Sequence, residues 1–304
     1  MTHDNLLLSE FKKAIQRIST TDVVELDNKF NIPFNFEIQR LEEAFKITGP
    51  TIPPNRWSYF RFVLVTRGSG DFITGIYNFK APKNTLVVFP SRIITSSKNW
   101  KKDSEGYILL FNIDFFLQNN FPHKYIEDKK IINSSIRPYI YLSDEQTKKI
   151  ASIFETIIRE KKSSHKHRSE LIALKIVELL ILSERWFAKE QNFDENLPSI
   201  DIIKRFIDLI DANLVNQRSV SFYAKKLNVH PNYLNSLIKK NTGLTAKESI
   251  QNMLLLETKY LLHSTNLSIK EIANRMGFSD PNYFTVFFKK FEKTSPANYR
   301  SSFI

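Results

Sequence analysis

The sequence predicts an α+β protein of two parts, a β-rich N-terminal part and an all-helical C-terminal part. Short runs of β-branched and aromatic residues, separated by Gly, Pro, Asn and Ser, occupy residues 34–116 and are typical of a sandwich or barrel. From residue 143 onward, apolar residues recur three or four positions apart, which is the helical period. Near the C-terminus one helix-forming segment occurs twice, at residues 230–240 and 280–290.

The N-terminal part begins with a segment whose apolar residues predict a short helix at residues 5–18. The strands follow it. We predict them at residues 34–38, 60–66, 71–79, 85–90 and 107–112.

Two longer helices are predicted after the strands, at residues 143–161 and 167–189. Ser143 and Gln146 form a capping box at the start of the first. The second carries a wide apolar surface made of Leu171, Leu174, Ile176, Val177, Leu180 and Ile181. This surface would either cover the open face of the strands or meet a second copy of the chain, and periodicity alone does not choose.

A polar run at residues 189–198, which ends in a proline, predicts an inter-domain linker. We therefore expect a first domain at residues 1–190, a linker at 191–198 and a second domain at 199–304. A helix at residues 199–213 would open the second domain.

The two copies of the repeated segment share Pro-Asn-Tyr and Lys-Lys in place. Pro231 and Pro281 suit the first turn of a helix, where the backbone N–H has no partner, and Asp280 is suited to cap the second helix. The preceding helices carry small residues, Ala224 and Ala273, as tight helix crossings require. A pair of helices joined by a short turn is a helix-turn-helix, and the sequence predicts two of them.

Two further signals place the ends of these helices. Ser268 and Glu271 form a capping box, and Gly277 suits the turn of the second helix pair because it accepts a positive φ. Thr245 and Glu248 cap a helix predicted at residues 246–263, between the two pairs. Its length of about 27 Å would hold two recognition helices in successive turns of the DNA major groove, which lie roughly 34 Å apart.

Residues 200–301 resemble the DNA-binding domain of the AraC/XylS family of bacterial transcription regulators. The resemblance is carried by the two helix-turn-helices, the helix between them, and the motifs Lys-Lys-x-Thr-Gly at 239–243, Pro-Asn-Tyr-Phe at 281–284 and Ser-Pro-Ala-Asn-Tyr-Arg at 295–300. The strands resemble, more loosely, the cupin-like sensor half of the same regulators through Arg-Gly-x-Gly at 67–70 and Thr-Leu-Val-Val-Phe-Pro at 85–90.

The resemblance implies an N-terminal cupin-like β-barrel with covering helices and a C-terminal all-α double helix-turn-helix domain. It also implies double-stranded DNA as the partner, a small-molecule effector in the barrel and a homodimer formed through residues 143–190. The function expected is that of a sequence-specific transcription regulator.

Positions that meet DNA in this family carry over to the outward faces of the two repeated helices. We expect base contacts from Pro231, Asn232, Asn235, Ser236, Pro281, Asn282, Thr285 and Val286. We expect phosphate contacts from Lys239, Lys240, Lys289 and Lys290. Because Arg and Gln are scarce among the reading positions, an A·T-leaning site is favoured. The two Asn that follow the prolines could instead serve only as helix-start residues, and core packing is expected for Tyr233, Tyr283, Leu234 and Phe284.

The charge distribution agrees with a DNA partner. The chain has a formal net charge of +12. Residues 212–304 contain 13 of its 44 Lys and Arg residues but only 5 of its 32 Asp and Glu residues, so two-thirds of the positive excess lies there. A basic excess on one domain is typical of phosphate binding, although by itself it also suits ordinary solubility.

Several other classes of protein are disfavoured. There is no cysteine for a disulfide framework or a thiolate metal site, which fits a cytoplasmic protein. The first residues lack the basic and apolar regions of a signal peptide. The most apolar later run, at 171–186, is too short and too charged to cross a bilayer, so no membrane partner is expected.

The alternative hypothesis is a metabolite-binding enzyme or sensor of the cupin type with a helical appendage and no DNA role. A catalytic metal site needs about three N or O ligands, most often His. None of the six His lies within the predicted strands, and His165 and His167 fall in a polar loop. We therefore predict no catalytic residue, no metal and no cofactor.

Effector-binding residues are not identified by any motif. Arg40, Trp57, Trp100 and Tyr107 could line a pocket in the barrel, but a surface or packing role is expected for each.

Overall fold

The structure is a computed structural model that describes residues 35–122, 126, 129–133, 137–191 and 198–302. The helix predicted at residues 5–18 and nearly all of the predicted linker lie outside the described residues.

Strands dominate the N-terminal region. They are β1 (Phe36–Arg40), β2 (Ile52–Arg56), β3 (Phe60–Arg67), β4 (Ser69–Thr74), β5 (Tyr77–Pro82), β6 (Thr85–Phe89), β7 (Ile94–Lys98), β8 (Glu105–Phe111) and β9 (Tyr139–Tyr141). They form two antiparallel sheets, in the orders β1-β8-β3-β6-β9 and β2-β7-β4-β5. Short helices α1 (Leu41–Thr48), α2 (Ile113–Gln118) and α3 (Lys130–Asn133) connect some of them.

Strand β3 lies at the centre of the larger sheet and is buried on both faces. Successive side chains of a strand point to opposite faces. Phe62 and Leu64 therefore join the core beneath the covering helices, whereas Val63 and Val65 join the core between the two sheets. Arg61 shares the face of Val63, so a charged residue lies in the inter-sheet layer.

The observed strands differ from the predicted ones in two ways: one predicted strand is a hairpin, and three observed strands were not predicted. Residues 71–79 form a hairpin, since Gly75 takes a φ of 53° between β4 and β5. Strands β2, β7 and β9 and helix α1 were not predicted. Strand β2 contains Pro53 and Pro54, which argue against a strand in the sequence. They are tolerated because β2 is an edge strand of its sheet.

Two long helices, α4 (Asp144–Lys162) and α5 (Arg168–Gln191), cover the larger sheet. The predicted capping box of Ser143 and Gln146 is confirmed. Phe154 of α4 and Ile176 of α5 are fully buried in the core against the sheet. The covering role therefore accounts for most of the apolar surface, but Leu171 and Leu174 remain exposed.

The C-terminal region is helical throughout its described residues. Its helices are α6 (Pro198–Asn213), α7 (Val220–Lys226), α8 (Pro231–Thr242), α9 (Ala246–Ser264), α10 (Ile269–Arg275), α11 (Pro281–Glu292) and α12 (Pro296–Ser301). Their buried residues belong to one apolar cluster. Across the described part of the chain, no helix is long and apolar enough to cross a membrane.

Helix α9 also contacts the N-terminal region, chiefly along β2. Arg56 of β2 forms an ion pair with Glu257 of α9, with 2.8 Å between Nη2 and Oε2, and its guanidinium lies 5.1 Å from the centre of the Tyr260 ring. The helix that joins the two helix-turn-helices therefore also contacts the sheets.

Candidate nucleic-acid interface

The first helix-turn-helix consists of α7 and α8. The Ser219 side chain caps α7 by accepting a hydrogen bond from the Phe222 amide. Ala224 is fully buried, as the predicted close crossing requires. Asn228 takes the left-handed conformation with φ 56°, and the amide of Val229 donates to the Ala224 carbonyl at 3.0 Å. These bonds end α7 and turn the chain into α8.

The second helix-turn-helix, α10 and α11, repeats this geometry. The predicted capping box of Ser268 and Glu271 is present, and hydrogen bonds from Ser268 lower the pKa of the Glu271 carboxyl. Gly277 has a φ of 73°, so the predicted left-handed turn is confirmed. The amide of Phe278 donates to the Ala273 carbonyl at 2.9 Å. The turn occupies the same position relative to the buried alanine in both copies.

The two helix-turn-helices are fixed to each other by specific contacts. The guanidinium of Arg218, just before α7, donates to the Met276 carbonyl and lies 4.1 Å from the centre of the Phe278 ring. On the other side, Lys259 of α9 pairs with Glu292 of α11 at 3.0 Å. Arg300 donates to the carbonyl of Leu262 at 3.1 Å and to that of Leu267 at 2.6 Å. The second helix of each pair, α8 and α11, is called its recognition helix. Through these contacts the two recognition helices belong to one helical body.

Helix α8 presents a polar face outward. Leu234, Leu237 and Ile238 are buried, whereas the opposite face carries Asn232, Tyr233, Ser236, Lys239 and Lys240, all of them exposed. His230 caps this helix, its Nδ1 accepting from the amide of Asn232 at 3.2 Å. The Asn232 side chain itself is thus free of a capping role in this structure.

Helix α11 presents the corresponding face. Phe284 and Phe288 are fully buried, and Asn282, Tyr283, Val286, Lys289 and Lys290 are exposed. The predicted cap is confirmed, since Asp280 Oδ1 accepts from the amide of Asn282 at 2.8 Å. Val286 is 66% exposed, which is unusual for an apolar side chain and leaves its methyl groups available for contact.

Four predicted base-contacting residues are only half-exposed. Pro231 and Pro281 lie in the first turns of their helices. Asn235 has a buried Oδ1 that accepts no hydrogen bond from the described residues. Thr285 donates its hydroxyl to the carbonyl of Pro281 at 3.0 Å, within its own helix. Asn235 and Thr285 therefore flank the outward faces, whereas Ser236 and Val286 lie at their centres.

The expected core packing of Tyr233 and Tyr283 is wrong, whereas that of Leu234 and Phe284 is confirmed. Tyr233 is 48% exposed and Tyr283 is 73% exposed. The reason is the helical period: each tyrosine lies three residues before an outward residue and seven before a lysine, so it shares their face. This spacing was readable in the sequence and identifies both tyrosines as members of the outward surface.

The lysines lie in the last turns of α8 and α11, where a positive charge also complements the helix dipole. Glu248, Glu271 and Asp280 lie instead at helix starts, where they take part in the caps. Hydrogen bonds from Thr245 lower the pKa of the Glu248 carboxyl, and Lys239 lowers it further. The outward faces themselves carry no acidic residue.

The described residues contain no group of three or more His, Asp or Glu side chains that could hold a metal ion. His165 and His167 are exposed, and Nδ1 of His167 lies 3.1 Å from Glu170. His263 lies on α9 and reaches a cavity in the N-terminal region.

That cavity has a volume of about 120 Å³ and lies between the two sheets. Trp57 and Trp100 line it, although a packing or surface role was expected for them. Arg40 and Tyr107 do not line it. They meet Glu155 of α4 on the other side of the larger sheet, where the Tyr107 hydroxyl donates at 2.6 Å. Burial and this hydrogen bond raise the pKa of Tyr107.

The chain is similar in sequence to several known proteins. Residues 223–302 match a family profile described as a helix-turn-helix domain. The chain is 29% identical over 168 residues to the Msm operon regulatory protein of Streptococcus mutans serotype c. The matched segment covers 55% of this chain and 60% of that relative. It is 24% identical over 258 residues to the HTH-type transcriptional activator RhaR of Mannheimia succiniciproducens, which covers 84% of this chain and 89% of that one.

Among solved structures, ToxT from Vibrio cholerae aligns with a TM-score of 0.40 and 12% identity, covering 88% of this chain and 98% of that chain. The match to the Msm protein spans less than two-thirds of that relative's length. The profile nevertheless falls on the two helix-turn-helices, and both relatives are named as regulators. The C-terminal region therefore matches a helix-turn-helix domain, and the chain is similar to proteins named as an operon regulatory protein and a transcriptional activator.

Proposed function

We propose that the chain is a sequence-specific, DNA-binding transcription regulator whose N-terminal region, residues 1–190, senses an effector and whose C-terminal region, residues 199–304, binds DNA. One observation carries the proposal. Two helix-turn-helices on one helical body each expose a face of small polar side chains that ends in two lysines.

In this proposal α8 and α11 enter successive turns of the major groove. Asn side chains can bridge N6 and N7 of adenine, and the methyl groups of Thr and Val can pack against the thymine methyl. The base-reading residues are those predicted, Pro231, Asn232, Asn235, Ser236, Pro281, Asn282, Thr285 and Val286. Lys239, Lys240, Lys289 and Lys290 contact phosphates, which set affinity and register but not sequence.

The exposed tyrosines extend this surface. Tyr233 and Tyr283 lie on the same faces as Ser236 and Val286, in the first turns of the two helices. A phenol there can donate a hydrogen bond to a phosphate or pack against a base or sugar edge.

A gel-shift experiment separates base readers from phosphate contacts. Asn282→Ala is expected to lose about 1–3 kcal/mol of discrimination between the operator and a substituted site. Lys289→Ala, in the same helix, is expected to weaken all sequences alike and to reduce the salt dependence of binding. The DNA would be the upstream region of the gene itself, with random duplex as the competitor. Equal loss of specificity in both variants would contradict base readout by Asn282.

We also propose a homodimer formed through the helices at residues 143–190. Leu171 and Leu174 support it, since they are 38% and 53% exposed on α5, whereas Ile172, Ile176 and Leu179 of the same helix are buried. Leu174→Glu should shift the sedimentation coefficient towards that of a monomer. A matched change on the exposed face of α4, Thr156→Glu, should leave the dimer intact, and a monomeric parent protein would contradict the proposal.

Effector control is proposed to act through β2. Adjacent residues of this strand face opposite ways: Asn55 lines the cavity and contacts Arg61, whereas Arg56 contacts Glu257 of α9. His263, on the same helix as Glu257, also lines the cavity. A ligand in the cavity would therefore contact Asn55, and the next residue of β2, Arg56, contacts α9, the helix between the two helix-turn-helices.

A further inference from the structure

Arg61 is a buried cation for which the described residues provide no carboxylate. Its side chain lies in the inter-sheet layer and is only 8% exposed. Nη1 donates to Oδ1 of Asn55 at 3.4 Å, and Nη2 donates to the hydroxyl of Thr95. Both partners are neutral. Burial lowers the pKa of Arg61 to about 9, and no acidic group among the described residues offsets this shift.

Donor capacity remains at this site after those two bonds. A guanidinium offers five N–H donors in a planar fork. Nε of Arg61 is buried and donates to no acceptor among the described residues, and the same holds for Nε1 of Trp57. Leaving a buried donor without a partner is costly, so two of them beside one cavity indicate a missing acceptor.

The rest of the described lining combines apolar residues with neutral polar ones such as Gln39, Thr48 and Ser97, and it contains no Asp or Glu. Among the described residues of the lining, only Arg61 and His263 are titratable. Burial lowers the pKa of His263, which keeps that imidazole neutral at pH 7. The walls are aromatic: the Arg61 guanidinium lies 4.8 Å from the centre of the Phe89 ring and 5.7 Å from that of Trp57, with Phe72 and Trp100 beyond. An anion entering here would meet one cation and no repelling carboxylate.

We propose that this cavity binds a small organic carboxylate, whose carboxylate group pairs with Arg61 and whose apolar body, the size of one ring, lies among the aromatic side chains. The size follows from the volume, because about 120 Å³ is comparable to the ~150 Å³ of an apolar protein cavity that accepts benzene. The charge follows from the fork geometry, which matches a carboxylate in a bidentate manner. The inference rests on the proposed effector role of the N-terminal region and names its ligand class.

Calorimetric titration of the full chain tests this with benzoate, benzamide and acetate as probes. Benzamide keeps the ring and loses the charge, whereas acetate keeps the charge and loses the ring. Benzoate is expected to bind about 10- to 100-fold more tightly than benzamide, the range for a hydrogen-bonded charge. Acetate should also bind more weakly than benzoate. Equal affinity for benzoate and benzamide would overturn the proposal.

Variants at Arg61 locate the site. Arg61→Met should abolish the preference for benzoate over benzamide while the chain stays folded, because replacing an unpaired buried charge by an apolar side chain is commonly tolerated. Arg61→Lys should keep the preference with reduced affinity, since the charge remains and the fork is lost. Arg67→Met is the matched control: it removes an exposed arginine of the same strand, paired with Asp103 and Glu105, and should bind benzoate as the parent does.

Two further outcomes count against the proposal. One is unchanged benzoate binding by a folded Arg61→Met variant. The other is the absence of heat and of any shift in Tm for benzoate, cyclohexanecarboxylate and isobutyrate at millimolar concentration. A parallel gel shift with and without benzoate keeps the two proposals apart. A chain that binds benzoate but no DNA in either condition would refute the regulator and leave the anion site standing, and the reverse result would refute only the anion site.

Discussion

At the scale of single residues, Tyr283 and Phe284 are neighbours in the chain with opposite environments. Phe284 is fully buried between the helices of the second helix-turn-helix, and Tyr283 is 73% exposed. One step along a helix rotates the side chain by about 100°, which is enough to move it from the core to the surface. Aromatic character therefore does not decide burial here, but position on the helix does.

This contrast gives a paired prediction. Phe284→Ala is expected to reduce the free energy of unfolding by about 3–5 kcal/mol, because it leaves a cavity in a packed core. Tyr283→Ala should leave stability within about 0.5 kcal/mol of the parent, as exposed substitutions do, but should weaken operator binding. Urea unfolding and gel shifts measure the two effects. Normal DNA affinity in Tyr283→Ala would remove the tyrosine from the proposed interface.

His263 gives a pH prediction. Burial lowers its pKa from the ordinary value of 6.5, so the folded chain takes up this proton at lower pH than the unfolded chain does. As the pH falls below about 6.5 the unfolded state binds more protons, and stability falls until the folded value is passed. The Tm of the parent should therefore drop more between pH ~7.5 and ~5.5 than that of His263→Gln.

The control for this experiment is His165→Gln, which changes an exposed histidine in the loop between α4 and α5. It should follow the pH dependence of the parent. If His263→Gln and the parent lost the same Tm over this window, burial of the imidazole would not be the cause.

At the scale of elements, the turn between α10 and α11 depends on Gly277. Its φ is 73°, and a Cβ at this position would lie 2.4 Å from the carbonyl oxygen of Val215. Any larger residue at position 277 would therefore have both a strained backbone conformation and a steric clash. Val215 lies between α6 and α7, so the turn of the second helix pair is packed against the entrance to the first.

Gly277→Ala is therefore expected to lower the free energy of unfolding by more than the ~1–2 kcal/mol of a left-handed alanine alone. Gly243→Ala is the matched control, since Gly243 also has a left-handed φ of 79° but a Cβ there would meet no atom within 4 Å. Chemical denaturation of both variants measures the difference. Equal losses would show that the contact with Val215 adds nothing.

The helix starts are set by residues three positions apart. The capping boxes at Ser143, Thr245 and Ser268 are all formed, and the helices predicted from residue 143 onward agree with the structure to within one or two residues. Both partners of a capping box lie within one turn of chain, so no distant contact is needed to form it. This is why the helical half was predictable in detail.

At the scale of the whole molecule, the two regions meet where β2 contacts α9. The Arg56–Glu257 pair is partly exposed, and an exposed pair contributes little to stability. Its position matters more than its strength. It connects the strand that lines the cavity with the helix that carries both recognition helices.

Arg56→Ala is therefore expected to separate ligand binding from DNA binding. With benzoate as the probe, the parent should show different operator affinities with and without ligand, whereas Arg56→Ala should show the same affinity in both conditions. Glu257→Ala should behave alike, because either change removes the same contact. Calorimetry serves as the control, since both variants should still bind benzoate, and a full DNA response in either would contradict transmission through this pair.

Long-range pairing limits what could be predicted for the N-terminal region. The partners of Arg61 are Asn55, six residues away, and Thr95, 34 residues away on another strand. Strand β2 contains two prolines, and only its pairing with β7 makes it a strand. The cavity is formed by residues from both sheets and from α9, so no pattern of neighbouring residues in the sequence predicts it.

By itself, the sequence determined the two helix-turn-helices with their caps and turns, because each depends on contacts within one or two helical turns. Tertiary structure alone decided that Arg61 is buried with no carboxylate from the described residues beside it, that α4 and α5 cover the larger sheet, and that α9 contacts β2. The physical reason is range. Hydrogen bonds within a helix connect neighbours in the chain, whereas burial depends on which distant segments pack together.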